Sequence, residues 1–138
     1  MREREAVFVD SGAWIALALT RDPMHARAVA AWRELTEARA RLHTSVPVVL
    51  ETFTFLDRRT RRDVAVGWKD SVDALSGLRV LTCSAEEMRS AWQYFSRQDL
   101  HKLSAVDASS FVLMARRDIR VAFAFDHHFA SVGFRLVG

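Results

Sequence analysis

The amino-acid sequence predicts an α/β fold, a three-layer α/β/α sandwich around a mostly parallel sheet of four or five strands. Three observations carry that expectation. Short apolar runs recur along the chain, longer amphipathic stretches separate them, and Ser, Asp and Gly punctuate the joins in the manner of helix starts and stops. Apolar runs without polar alternation suit strands covered on both faces, and helices between such strands build βαβ units. With 138 residues, half of them hydrophobic and 27% charged, the chain reads as one domain over residues 1–138 whose core needs no staple.

Residues 6–9 (AVFV) form the first apolar run, ended by Asp10-Ser11-Gly12, and read as a doubly buried strand; a helix begins in 13–19. Past the break at Arg21-Asp22-Pro23, residues 25–41 place Ala28, Val29, Trp32 and Leu35 at helical spacing among Arg and Glu, which predicts an amphipathic helix. Residues 42–44 are a minimal strand. Ser45 then serves as N-cap, with Pro47 tolerated in the first turn of a helix reaching about Arg62. A further helix over 64–76 closes at Gly77, and 79–82 is the third strand. Ser84-Ala-Glu-Glu87 is a capping box opening a helix to about Ser96, and Ser104-Ala-Val-Asp107 is a second, opening one to about Asp118. Residues 121–125 (VAFAF) and 134–137 (FRLV) supply the last two strands.

Several classes are excluded at this stage. The longest apolar stretches, such as 13–19, fall far short of the roughly 20 residues a bilayer span needs, and residues 1–6 lack a signal-peptide layout. A single cysteine, Cys83, rules out an internal disulfide and a Cys-rich zinc site, in keeping with a reducing, cytoplasmic setting. The formal charge is only +3, but 18 of the 20 basic residues are arginines. Arginine's planar fork suits phosphates, while genome base composition also produces such a bias, so the charge hints at a nucleic-acid partner and no more.

Four acids stand in apolar sequence: Asp10 after Val9, Glu51 between Leu50 and Thr52-Phe53, Asp107 between Val106 and Ala108, and Asp126 after Phe125. An ionised carboxylate so embedded must be paired or hold a metal. Ligands of open α/β sheets collect at the carboxyl ends of the strands, and Asp10 and Asp126 are each expected as the first residue past a strand. The helix from Asp107 descends about 16 Å and the strand to Asp126 climbs about 16 Å, which returns Asp126 to the level of Asp107. Glu51 lies in the second turn of its helix, within about 9 Å of that helix's start. Gathered carboxylates raise one another's pKa unless a cation relieves them, and all-oxygen ligation favours Mg²⁺ or Mn²⁺.

Taken singly, each acid has a structural alternative. Asp107 is the N3 acid of a capping box, Asp126 can cap a short helix at 127–130, and Asp10 can start an Asx-turn. Glu51 is the exception, because a structural role there needs a buried cation that the sequence does not identify. Taken jointly at one sheet edge, the four favour a metal site.

The residues around these acids are where a family likeness appears. The segments Val7-Phe-Val-Asp10-Ser-Gly-Ala-Trp14, His25, Thr44-Ser-Val-Pro-Val-Val-Leu-Glu51-Thr52, Leu103-Ser-Ala-Val-Asp107-Ala108-Ser-Ser-Phe111 and Ala124-Phe-Asp126-His-His-Phe129, with Gly133-Phe134 beyond, follow one another in a characteristic order. The sequence resembles the PIN-domain ribonucleases, and most closely the VapC-type toxins of toxin–antitoxin pairs. The likeness spans residues 7–137 and is least diagnostic over 57–98.

The resemblance implies a parallel-sheet fold and Mg²⁺- or Mn²⁺-dependent endonucleolytic cleavage of RNA. The family's acidic quartet falls on Asp10, Glu51, Asp107 and Asp126, which in such enzymes hold one or two ions while water attacks phosphorus in line, leaving 5′-phosphate and 3′-hydroxyl ends. Asp99 matches a frequent family acid, read as a support for the site or as structural, and Ser11, Thr52 and Ser104 are candidate polar supports. The resemblance also implies a homodimer and a small cognate antitoxin that blocks the site, often with an Arg. A non-catalytic RNA-binding or protein-interaction module on the same fold is the alternative, and the intact quartet argues against it.

Other signals weigh less. Asp126-His127-His128 is shared with the DHH phosphoesterases, which need further acidic motifs that are missing here, so the two histidines are expected to face solvent or touch substrate phosphate. A response-regulator phosphoacceptor would want adjacent acids after the first strand and a Lys after the last, and the sequence offers neither. The run Arg58 to Arg62 closes a helix as a solvated basic face or an RNA-backbone contact. Trp14, Trp32, Trp68 and Trp92 are expected in the core or at a dimer contact.

Overall fold

The computed structural model describes residues 4–138, so the first three residues of the stretch read above as lacking a signal-peptide layout lie outside the described residues. Its strands are β1 (Ala6–Val9), β2 (Arg41–Ser45), β3 (Arg79–Leu81), β4 (Val121–Phe123) and β5 (Arg135–Val137). All pair in parallel in the order β3-β2-β1-β4-β5, which sets the strand number at five. The central strands β1 and β4 carry the doubly buried runs: Val7, Phe8 and Val9, and Val121, Ala122 and Phe123, are all buried.

The helices are α1 (Ser11–Ala18), α2 (His25–Glu37), α3 (Val46–Arg59), α4 (Arg62–Asp73), α5 (Ala85–Ala91), α6 (Ala105–Arg116) and α7 (His128–Ser131), with a 3₁₀ turn at Trp92–Ser96. The chain steps from β1 to β2 to β3 in one direction, then crosses back to place β4 on the other side of β1. Right-handed crossovers therefore put α1 to α4 on one face and α5 to α7 on the other. Most helix contacts stay within a face, α1 packing on α2 and α3, α3 on α4, and α6 on α5 and α7, while α3 also meets α6. The gap between β1 and β4 is the switch point at which open α/β sheets place their ligands.

Buried polar bonds fix α1 against the sheet. Thr44 Oγ1 donates to Val9 O (2.9 Å) and accepts from Trp14 Nε1 (3.1 Å), so one hydroxyl joins β2, β1 and α1. His25 Nδ1 lies 2.7 Å from Ala16 O and ties the start of α2 to α1. On the other face, the Ser84 capping box forms in full, and Glu87, already accepting from Ser84 N, also receives Arg117 Nη1 of the α6 C-cap at 3.0 Å. After α7, Gly133 adopts a φ of +102° while Phe134 N donates to Phe129 O, a C-terminal turn that delivers the chain to β5.

Several boundaries differ from those expected, each for a local reason. The second helix ends at Glu37 and not near Arg41, because Ala40 N turns back to Leu35 O while Arg41 N already bonds Glu5 O at the sheet. The helix expected to reach Arg62 stops at Arg59, where Thr60 directs both its N and Oγ1 to Leu56 O; Arg61 is extended and starts α4 early. Helix α4 ends at Asp73, leaving Gly77, with φ +85°, in the turn before β3. The helix expected over 84–96 becomes 3₁₀ from Trp92. Trp14, Trp32 and Trp68 do pack together, with Trp14 centroids 5.7 and 6.1 Å from the other two, whereas Trp92 is 53% exposed beside Phe95 and is not a core residue. Among the described residues no helix is long and apolar enough to cross a membrane.

Candidate active site

The site lies where β1 and β4 end. Asp10 follows β1 directly, and its N–H donates to Phe123 O (3.0 Å), while its carbonyl receives the N–H groups of Ala13 and Trp14 at the head of α1. Its side chain is 4% exposed, and Oδ1 is buried with no hydrogen-bond partner. Burial first, and the nearby charges of Glu51 and Asp126 second, push its carboxyl up to about 7, partly offset by the amides of Ser11 and Gly12.

Glu51 projects from the second turn of α3, half-buried, and Oε1 accepts a 2.6 Å hydrogen bond from Ser11 Oγ on α1. The buried cation that a structural Glu51 would need is replaced by a hydroxyl, which orients the carboxylate without neutralising it. Asp107 is buried near the start of α6. Ser104 Oγ accepts from Asp107 N at 3.0 Å, but the reciprocal half of the expected capping box is missing because the Asp107 carboxyl turns to Asp126. Burial, then the charge of Asp10, then the contact with Asp126 raise Asp107 to about 9.

Asp126 departs from its expected place. β4 ends at Phe123, where its pairing partners Val9 and Val137 also run out, so Asp126 is the third residue past the strand and sits on a loop. It is half-buried, and burial alone would raise its pKa. The His128 N–H, donating to Oδ1 at 2.9 Å, the hydrogen bond from Asp107 and the His128 ring 2.9 Å away outweigh that and hold it below the usual carboxylate range. Asp107 and Asp126 are therefore pushed in opposite directions, Asp107 toward the protonated and Asp126 toward the ionised form. The four acids thus come from β1, α3, α6 and the β4–α7 loop; Asp10 and Asp107 form a buried floor and Glu51 and Asp126 a half-exposed rim.

The two histidines separate. His127 is exposed as expected, but His128 is 4% exposed, with Nε2 2.7 Å from His101 O and Nδ1 2.9 Å from Asp126 Oδ1. Sequence reading missed it, since nothing local distinguishes it from His127; its place between two phenylalanine-bearing segments, Phe125 and Phe129, is the one hint of burial. One ligand atom each of Asp107, Asp126 and His128 lie within 4.8 Å of one another. Of the other expected supports, Ser11 touches the site, Ser104 caps α6, and Thr52 is turned away, its Oγ1 donating to Val48 O. Asp99 is exposed and paired with Arg97 at 2.6 Å, a structural role outside the cluster. The Arg58 to Arg62 run is a solvated face, with Arg61 on Asp63, Arg62 on Asp57, and Arg59 over the Phe55 ring.

The residues present fit a divalent cation. An orphaned, buried Asp10 oxygen, and Asp10 and Asp107 carboxyls raised by burial and by neighbouring acids, are what a carboxylate cage shows when nothing positive balances it.

The chain is similar to known proteins in sequence and in fold. The PIN domain family matches residues 7–135. Over 128 residues the chain is 34% identical to the 23S rRNA-specific endonuclease VapC20 of Mycobacterium tuberculosis, covering 93% of this chain and 95% of that protein. The crystal structure of VapC20, described as a sarcin-ricin loop cleaving toxin, superposes with a TM-score of 0.81 over 94% of this chain and 96% of that one, at 32% identity. VapBC2 from Rickettsia felis, solved with a promoter DNA fragment, shares the fold at 10% identity, with a TM-score of 0.71 over 95% of this chain and 96% of that one. The chain belongs to the PIN-domain family, and its likeness there is to the VapC-type toxin ribonucleases.

Proposed function

We propose that this protein is a divalent-cation-dependent endoribonuclease acting as a toxin, with Asp10, Glu51, Asp107 and Asp126 holding the cation, and with ribosomal RNA of the large subunit as its substrate class. The observation that carries the reading is the convergence of four carboxylates, two of them buried, with no Arg or Lys ion-paired to them among the described residues and only His127 and His128 beside Asp126. Mg²⁺ or Mn²⁺ supplies there an activated water and charge neutralisation on the phosphodiester. Asp10 and Asp107 provide the dry floor, Ser11 holds Glu51 at the rim, and the half-exposed edge formed by Glu51 and Asp126 admits the RNA backbone. The substrate class rests on the 34% likeness to a 23S rRNA-specific enzyme.

A cognate antitoxin fits an apolar cleft of about 670 Å³ beside Glu51, lined among others by Val46, Leu50, Phe55, Met88 and Val106, since a segment lying there covers the rim. Trp92 and Phe95, exposed side by side, support self-association as a homodimer. The direct test is incubation of purified protein with ribosomal RNA. Wild type with Mg²⁺ or Mn²⁺ is expected to cut it to fragments bearing 5′-phosphate, while Asp10→Asn and Asp107→Asn are folded by circular dichroism and inactive. Full activity in excess EDTA, or wild-type rates in both variants, would refute the mechanism.

A further inference from the structure

His128 is buried beside the four acids and serves no part of the mechanism above. Its Nε2 faces His101 O at 2.7 Å, and a carbonyl only accepts, so Nε2–H is the donor there and Nδ1 is the ring nitrogen turned to the acids. That Nδ1 is buried and makes no hydrogen bond of acceptable direction, although Asp126 Oδ1 is only 2.9 Å away. The oxygen is already engaged by the backbone N–H of His128. Nδ1 and Oδ1 thus stand at a separation that a single positive centre between them, a proton or a metal ion, can bridge.

We infer that His128 is a metal ligand, through Nδ1, completing with Asp107 and Asp126 a mixed nitrogen and oxygen site for a divalent transition-metal ion. The inference rests on the metal-dependent reading given under Proposed function and deepens it. Adjacent ligands of an ion at about 2.1 Å stand about 3 Å apart, which the Nδ1 to Oδ1 separation of 2.9 Å matches. The single atoms offered by Asp107, Asp126 and His128 fall within 4.8 Å of one another, the span of one coordination sphere. The Nε2–H to backbone carbonyl bond is the arrangement that orients ligating histidines and fixes their tautomer. His127 lacks all of this: its ring is exposed and its Nδ1 is 3.8 Å from Asp126. An imidazole donor shifts preference from Mg²⁺ toward Mn²⁺, so the site discriminates between two ions that carboxylates alone barely distinguish.

The experiment is pulsed electron paramagnetic resonance on the full chain loaded with Mn²⁺, which detects a directly bound nitrogen without reference to activity. Wild type and His127→Ala are expected to show ¹⁴N modulation, converted to the ¹⁵N pattern when the protein is made with ¹⁵N-histidine. His128→Gln keeps a donor for His101 O and is expected to lose the modulation, with Mn²⁺ affinity down about tenfold or more and Mg²⁺ affinity reduced less. If that variant fails to fold, the labelled wild type still decides the matter. Bound Mn²⁺ without nitrogen modulation, or modulation that persists in folded His128→Gln or vanishes in His127→Ala, overturns the ligand assignment and leaves the carboxylate site standing. No Mn²⁺ binding by wild type overturns both.

Discussion

Asp107 and Asp126 touch, yet one is driven up to about 9 and the other held below the ordinary carboxylate range, and Asp10 beside them rises to about 7. The sign of the consequence follows from proton counting. Asp10 and Asp107 bind protons more tightly folded than unfolded, where their value is near 3.8, so between about pH 4 and pH 9 the folded state carries the extra protons. Cation-free protein is therefore expected to lose stability as pH rises through that window, with Asp126, shifted the other way, mattering only at the acid end. Adding Mn²⁺ replaces those protons and releases them, so its stabilisation grows with pH. Thermal melts at pH 5, 7 and 9, in EDTA and in Mn²⁺, check this. A cation-free melting temperature that climbs steadily from pH 5 to pH 9 would contradict the buried-carboxyl account.

At the scale of elements, two helix starts look alike in sequence and differ in use. Ser84 and Ser104 both accept from the N–H three residues on, but Glu87 returns the bond and braces α5 against Arg117, while Asp107 spends its carboxyl on the site. Ser84→Ala and Ser104→Ala are each expected to cost about 1 kcal/mol in urea unfolding. Ser84→Ala leaves RNA cleavage unchanged, whereas Ser104→Ala slows it about tenfold by loosening the turn that carries Asp107. Equal cleavage by the two would show that the α6 cap does not position Asp107. The same pair marks what was legible in the sequence. Doubly buried strands, caps and the four acids could be read because each is a local pattern. The Asp126 loop could not, since β4 ends where its neighbours Val9 and Val137 end, and His128 could not, since its partner His101 lies 27 residues away. Trp92 has helical spacing like the other tryptophans but follows the point where α5 tightens to a 3₁₀ turn, which rotates it out of the core.

For the whole molecule, the formal +3 hides a division of charge. Setting the four site acids apart leaves 13 acidic against 20 basic residues, a formal +7 for the remainder. Eight of those acids already sit in ion pairs with Arg or Lys, all at the surface except the buried Glu87, among them Arg116 with Glu86 and Arg135 with Glu5. Such exposed pairs contribute little to stability and leave their arginines close to the surface for phosphates. On the function proposed above, a basic exterior around an acidic, cation-binding pocket makes RNA binding depend on counterion release. Fluorescence anisotropy with Asp10→Asn, which binds without cutting, is expected to give a slope of log K against log salt of about −3 to −6, equivalent to roughly four to eight phosphate contacts at −0.7 each. Removing the divalent cation weakens binding at every salt concentration, because uncompensated carboxylates then face the RNA backbone at the rim. A slope near zero would mean that the arginines do not track phosphates and that recognition rests on contacts to bases and RNA shape alone.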